Sequence, residues 1–224
     1  MRLMIQAFAG LAFLMSVIGA ALFVSAGSFA FSLASVYLAV FGGSTILITA
    51  YLALYDRALL AGRLQAGPVA ETRPLQRSIQ SIASLLFVAM YVVAGLDFRY
   101  SWSRVPPLVS ILCELMVATG FAIVFLVFRE NRYTRGTIAV SAGQQLISTG
   151  PYRWVRHPMY AGALLMLLFT PPALGSLVAI PLVAPLAAAI VARIGDEERL
   201  LADTLHGYRD YQRAVRYRLI PFVW

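Results

Sequence analysis

The sequence has no lysine, a single cysteine and few charged residues of any kind. Only 12% of its 224 residues are charged, against about 25% in a soluble domain. Hydrophobic residues make up 60%, and the mean hydropathy is +0.78. This composition excludes an ordinary soluble domain and predicts an integral membrane protein. The lone Cys113 excludes an intramolecular disulfide. The net charge of +8 is carried by arginines that concentrate in particular loops, so it indicates topology and gives no reason to propose nucleic-acid binding.

Four long apolar segments predict transmembrane helices at residues 3–26, 31–55, 79–96 and 108–128. The polar residues 56–78 predict a loop with a short surface helix. Glu114 lies within the fourth apolar segment, and a carboxyl group inside the membrane is a candidate functional group. A protonated or helix-paired glutamate near the interface explains it equally well, so both interpretations stay open.

The apolar stretch at residues 160–194 predicts a helical hairpin. Pro171 and Pro172 remove backbone donors and favour a break just before Gly175. With this break the chain crosses the membrane six times, and every arginine except Arg99 and Arg104 lies on the inner side, as the positive-inside rule requires. Both termini are then cytoplasmic. The first arm, residues 160–174, spans about 22 Å against a hydrocarbon thickness of about 30 Å, which places its beginning below the headgroups.

The last segment, residues 196–218, is polar with Leu201, Leu205, Tyr208 and Tyr211 at helical spacing. This pattern predicts an amphipathic helix on the membrane surface, followed by an interfacial anchor at 219–224. The predicted fold is an all-α integral membrane protein with about six transmembrane helices, a C-terminal hairpin and an interfacial amphipathic C-terminal helix. Residues 1–128 form four N-terminal spans, and residues 129–224 form the functional core.

Two polar clusters in the core predict a site on the cytoplasmic side. The first, at residues 144–160, has the sequence QQLISTGPYRWVRHPMY and places Pro158 at the start of a helix, whose amide donors suit an anion. The second returns after the hairpin with Arg193 and Glu197 on one helical face. Amide donors and arginines for an anion, carboxylates for a cation and aromatic rings for a flat group match a zwitterionic cofactor with a sulfonium and an adenine. An ordinary charged membrane surface is the alternative interpretation.

The motif GPYRWVRHPMY, followed by DEERLL and GYRDYQRAVRYRLIP, resembles the isoprenylcysteine carboxyl methyltransferase and phospholipid methyltransferase superfamily. The resemblance covers residues 144–221. It implies a membrane-embedded methyltransferase that binds S-adenosyl-L-methionine, with S-adenosyl-L-homocysteine as product, and that lacks the Rossmann-type domain of soluble methyltransferases. No strand–GxGxxG–helix unit occurs in the chain.

Matching positions imply the roles of individual residues. Arg193 faces the methyl acceptor, Arg156 lies nearby, and Glu198 is available as a base for an amine. A slip of one residue in the match would exchange Glu197 with Asp196 or Glu198. The residues implied in cofactor binding are Gln144, Gln145, Leu146, Ile147, Tyr152, His157, Pro158, Met159, Tyr160 and Glu197.

The arginines favour an anionic acceptor on a lipophilic molecule, most simply an isoprenylcysteine-type carboxylate, because a carboxylate needs no base. Phospholipid amine N-methylation and small-thiol S-methylation are alternatives, and both require removal of a proton. A non-catalytic transporter or sensor subunit is the alternative of another class. Transporters often have repeated halves with interrupted helices, whereas polarity here is confined to the C-terminal third. The expected partners are a lipophilic small molecule and membrane lipids, with no metal and no nucleic acid.

Overall fold

A computed structural model describes residues 1–138, 140 and 143–224. Across these residues the chain is helical, without a strand. The eight α-helices are α1 Arg2–Ala26, α2 Ser32–Tyr55, α3 Arg57–Leu64, α4 Pro74–Tyr100, α5 Pro107–Glu130, α6 Pro158–Ala173, α7 Val183–Thr204 and α8 Tyr208–Ala214. Two 3-10 turns, Gly150–Arg153 and Ile180–Leu182, precede α6 and α7 respectively.

Four helices are long and apolar enough to cross a membrane: α1, α2, α4 and α5. Helices α1, α2 and α5 agree with the predicted spans 3–26, 31–55 and 108–128 to within two residues. Helix α4 is longer than the predicted span 79–96, because it already begins at Pro74, inside the predicted loop 56–78, and continues to Tyr100. The predicted short helix in the polar connection is α3, and the Asp56 carboxylate caps it by accepting a hydrogen bond from the Leu59 amide at 2.9 Å. Leu59 and Leu60 are buried, so α3 packs against the bundle.

The hairpin turn lies where the two prolines predict it. Pro171 and Pro172 occupy the last turn of α6, and the chain reverses at Gly175, whose φ of +76° is easily adopted only by glycine. The Ser176 hydroxyl then donates to the buried Asp97 carboxylate at 2.6 Å. This bond ties the turn to the end of α4.

The hairpin is fixed to the N-terminal helices mainly where α6 packs against α5. Gly120 of α5 and Gly162 of α6 face each other, and a Cβ atom on either would come within 3 Å of the other's carbonyl oxygen. Only glycine permits this approach, in the manner of close helix packing in membranes. The contact positions the beginning of α6 beside the C-terminal half of α5.

The predicted amphipathic helix at 196–218 is wrong as a single element. Helix α7 continues to Thr204, the chain turns at Gly207 with φ +80°, and α8 is only seven residues long. The apolar side chains of Leu201 and Leu205 line an internal cavity. The four apolar side chains that predicted this helix therefore lie on two helices and the turn between them, and they contact the protein itself.

Candidate active site

The beginning of α6 is held by the C-terminal segment. The amides of Arg156 and His157 donate to the carbonyls of Tyr217 and Arg218, both at 2.9 Å. Pro158 occupies the first helical position, where its missing N–H is not needed. The Ala161 amide donates to the His157 carbonyl at 3.0 Å, so the amides left to an anion in this first turn are those of Met159 and Tyr160.

Glu198 is surrounded by three basic side chains. Its carboxylate accepts from Arg156 Nε at 2.6 Å and Arg218 Nε at 2.9 Å, and His157 Nε2 lies 3.2 Å away. Burial of the Glu198 carboxyl opposes its ionisation, but the hydrogen bonds from His157, Arg156 and Arg218 outweigh burial and lower its pKa to about 2. Arg156 also donates to two carbonyls of the C-terminal segment. Glu198 therefore joins α7, the loop before α6 and the C-terminus.

The neighbouring Glu197 lies in a different environment. Its carboxylate accepts from the Tyr160 hydroxyl at 2.9 Å, and the same hydroxyl accepts from Arg193 Nε at 2.8 Å. Arg193 Nη2 donates to the Gly136 carbonyl at 2.7 Å. Arg193 Nη1 is buried without a hydrogen-bond partner in the described chain, and its nearest acidic group is Glu71 at 3.7 Å.

These groups surround a polar cavity between α6, α7, α8 and the segment that follows α5. All ten predicted cofactor-binding residues line it, together with Arg193 and Arg156. Asp196 and Glu198 do not line it, so the structure favours Glu197 among the three possible registers. The fold brings these predicted residues together around one cavity: 144–147, 152, 157–160, 193 and 197. Their roles in binding and catalysis stay predictions.

The side chains of the polar cavity have the chemistry that S-adenosyl-L-methionine requires. Glu197 offers an anion, and aromatic rings from Tyr152, Tyr208 and Tyr211 offer flat faces for a cation or a base. The Tyr208 hydroxyl is buried without a partner in the described chain, which leaves it to a ligand. The cavity has a volume of about 100 Å³, below the roughly 300 Å³ typical of small-ligand pockets.

A second cavity, apolar, more open and about 610 Å³ in volume, is lined by α1, α2, α4, α5, α6 and α7. Its walls are mainly aliphatic and aromatic, and Arg193 and Gln80 are its long polar side chains. Arg193 lines both cavities. We call the position of Arg193, the residue that lines both, the junction of the two cavities.

Some of the polar residues around the site were not predicted. Arg63 of α3 donates to the Arg135 carbonyl at 2.7 Å, and Glu71 accepts from the Ile138 amide at 3.4 Å. Both hold the segment that covers the polar cavity. The sequence did contain one signal that could have pointed to Glu71, because it is an acidic residue in a loop that is otherwise rich in arginine. The predicted candidate Glu114 is buried, its oxygens have no hydrogen-bond partner in the described chain, and it lines neither cavity.

Comparison with known families supports the motif resemblance. Residues 111–203 match the model of the isoprenylcysteine carboxyl methyltransferase family. The match includes α5, where the sequence shows no motif, and it ends before the C-terminal GYRDYQRAVRYRLIP stretch. No curated protein matches the chain. The matched segment contains both polar clusters and the hairpin, so this part of the chain is similar to a family of membrane methyltransferases.

Proposed function

We propose that the protein transfers a methyl group from S-adenosyl-L-methionine to the carboxylate of a lipophilic, isoprenylcysteine-type acceptor. The observation that carries this proposal is the position of Arg193 between the polar and the apolar cavity. A charged donor and an apolar acceptor tail have separate sites, and one cation stands where they meet. The family match supports the reaction class.

The polar cavity binds the donor in this account. Glu197 attracts a cationic group, and Tyr160 fixes the carboxylate by donating to it. The free amides at the beginning of α6 receive an anionic group. His157, which lines the cavity and is fixed by Glu198, forms part of the same wall. When bound, the cofactor supplies an electrophilic methyl group, which is taken by a lone pair of the acceptor oxygen while the C–S electron pair returns to sulfur and S-adenosyl-L-homocysteine remains.

The apolar cavity binds the acceptor tail, and Arg193 binds its carboxylate. Nη1 of Arg193 makes no hydrogen bond in the described chain and lies 3.7 Å from the Glu71 carboxylate, so an acceptor oxygen that reaches Nη1 would supply its missing hydrogen bond. A carboxylate is already ionised at neutral pH, and the protein needs only to align it and exclude water. The geometry supports this acceptor over an amine, because Glu198 is enclosed by basic side chains outside the cavity lining and is poorly placed to remove a proton.

The polar cavity is cytoplasmic and the chain crosses the membrane six times in this proposal. Helix α6 has 16 residues and is shorter than the four apolar spans. The distribution of arginines supports the orientation. A reporter fused at Trp224 or inserted in the connection between α3 and α4 should report the cytoplasm, and a signal from the opposite side at either position would overturn the topology.

Two measurements test the function. Purified protein in a detergent that keeps it folded should bind S-adenosyl-L-methionine in a calorimeter, and no heat of binding would refute the cofactor. A tritiated-methyl transfer assay should then be offered three acceptor classes: a prenylcysteine analogue, extracted phospholipids and small thiols. Transfer to the prenylcysteine analogue is the expected result. Transfer to phospholipid amines or thiols alone would refute the carboxylate.

A further inference from the structure

Glu71 is an acidic residue of the connection between α3 and α4, outside the segment that matches the family. Only 1% of its surface is exposed. A carboxylate is rarely buried to this extent unless it is paired. Its surroundings therefore show what it holds in place.

The Glu71 carboxylate contacts three different elements through Oε2. Gln80 Nε2 of α4 donates to it at 3.2 Å, and the Ile138 amide of the segment after α5 donates at 3.4 Å. Arg193 Nη1 of α7 lies 3.7 Å from the same oxygen. The other oxygen, Oε1, accepts from the adjacent Thr72 amide at 3.2 Å.

Each of these three partners lines a cavity. Ile138 lines the polar cavity, Gln80 lines the apolar cavity, and Arg193 lines both. Glu71 itself lines neither. A single carboxylate thus stands behind the junction and holds a wall of each cavity.

The orientation of Arg193 depends on all of its neighbours. Nε is fixed by Tyr160 and Nη2 by Gly136, so the guanidinium plane has two anchors on the side of the polar cavity. The negative charge of Glu71 attracts the remaining nitrogen, Nη1, at a distance too long for a hydrogen bond. The charge of Glu71 therefore orients Nη1 without forming a hydrogen bond to it.

We propose that Glu71 is a positioning residue that holds the Arg193 guanidinium at the junction of the two cavities and so sets the rate of methyl transfer. It acts through Arg193 and touches neither cofactor nor acceptor. This inference rests on the proposed function. It assigns part of the site to the N-terminal half of the chain, which the family match does not reach.

The chain offers a matched control in Asp196. This carboxylate is also buried and also joins α7 to the beginning of α4, accepting from Arg73 and Gln76 at 2.8 Å each. It lines neither cavity and makes no contact with Arg193 among the described hydrogen bonds and ion pairs. Loss of its charge disturbs the same helix contact without disturbing the guanidinium.

The test compares Glu71→Gln with Asp196→Asn, using the prenylcysteine analogue as acceptor. Glu71→Gln should lower kcat/KM for the acceptor about tenfold, since a small misplacement of an aligning group costs rate. Its calorimetric Kd for S-adenosyl-L-methionine should stay within about twofold of wild type, and Asp196→Asn should lower kcat/KM less than about threefold. In an Arg193→Lys background, which already lacks the planar fork, the effect of Glu71→Gln should shrink to less than about threefold.

Hydrogen exchange gives a readout that is independent of turnover. Peptides containing Ile138 should exchange their amide hydrogens faster in Glu71→Gln than in wild type. In Asp196→Asn the exchange rate of the same peptides should equal that of wild type. Wild-type transfer by Glu71→Gln, or a parallel loss of transfer and cofactor affinity in both variants, would overturn the proposal. If Glu71→Gln does not fold, Glu71→Asp, which keeps the charge but withdraws it from Arg193, should show the same loss of transfer. Failure of the wild-type protein to bind the cofactor would refute the proposed function and leave the exchange test of Glu71 valid.

Discussion

The polar and the apolar cavity are built in different ways. The apolar cavity is an open groove, and its walls are apolar side chains of the long helices. The polar cavity is assembled from segments distant in sequence, which meet because the hairpin and the C-terminus fold back on the beginning of α6. The long helices therefore provide the apolar space, whereas ion pairs and backbone hydrogen bonds of the loops hold the polar side chains in place.

The two adjacent glutamates show the same division on a smaller scale. Glu197 faces the polar cavity with one hydrogen bond from Tyr160. Glu198 turns away and is enclosed by Arg156, His157 and Arg218. Neighbours on a helix point about 100° apart, so one carboxylate serves the site while the next holds the loops together.

The largest effect is expected from removing the side chain of Arg193, the residue that lines both cavities. Arg193→Ala should lower methyl transfer about 100-fold, since it removes the cation that aligns the acceptor, while the Kd for S-adenosyl-L-methionine changes less than about threefold. The tritium assay and calorimetry measure the two quantities. Arg199→Ala, at an exposed position of the same helix, is the control and should behave as wild type. Full turnover by Arg193→Ala would contradict the role of this arginine.

The next effect separates the two glutamates. Glu198→Gln should cost about 3 kcal/mol of stability, because it leaves buried basic groups without their counterion. Glu197→Gln should keep the Tm within a few degrees but weaken cofactor binding about tenfold. Thermal unfolding and calorimetry of both variants test this. A reversed pattern, with Glu197→Gln unfolding and Glu198→Gln losing only affinity, would show that the two roles were exchanged.

A pH series sharpens the role of Glu198. Its pKa is lowered from an ordinary value of 4.5 to about 2 in the folded protein, so its contribution to stability is complete above pH 4.5 and is lost as the pH falls towards 2. The Tm difference between wild type and Glu198→Gln should therefore shrink between pH 5 and pH 3. A difference that stays constant over this range would show that the charge of Glu198 does not stabilise the loops.

Filling the apolar cavity tests its role as the acceptor site. Ala189→Phe places a ring inside the cavity and should raise the KM for a prenylcysteine analogue about tenfold without changing the Kd of the cofactor. Ala188→Phe, one residue earlier and facing outward, is the matched control. Equal kinetics for both variants would place the acceptor elsewhere.

The smallest expected effect concerns Tyr208. Its hydroxyl is buried without a partner in the described chain, so Tyr208→Phe should leave the Tm unchanged. If the hydroxyl bonds the cofactor, the same change should weaken cofactor binding about threefold. Tyr211→Phe is the contrasting variant, since its hydroxyl donates to the Tyr152 carbonyl at 2.7 Å and should therefore lower the Tm. Calorimetry and thermal unfolding measure both.

The sequence predicted those parts of the structure that depend on local pattern. Apolar runs gave the four long helices, and Pro171 with Pro172 gave the hairpin turn. The motif resemblance selected residues that do line one cavity. The positions of glycine in the sequence did not predict the contact between Gly120 and Gly162, because that contact depends on how two helices cross.

The parts that could not be predicted depend on long-range contacts. Leu201, Leu205, Tyr208 and Tyr211 have the same spacing whether their partner is lipid or an internal cavity, so periodicity could not show that Gly207 interrupts the helix. Glu71 appeared as one carboxylate in an arginine-rich loop, and only the fold brings it to Arg193. The spacing of charged residues likewise did not predict that the Glu198 side chain would lie outside the lining of the polar cavity.

In the proposed function a carboxylate receives the methyl group beside Arg193, the residue that lines both cavities. The most direct measurement is the alkali lability of tritium transferred to a prenylcysteine analogue, since a methyl ester releases methanol in base and an N-methyl or S-methyl product does not. We expect wild type to form an alkali-labile tritiated product, and Arg193→Ala to form about 100-fold less of it. Alkali-stable product, or equal ester formation by both proteins, would contradict it.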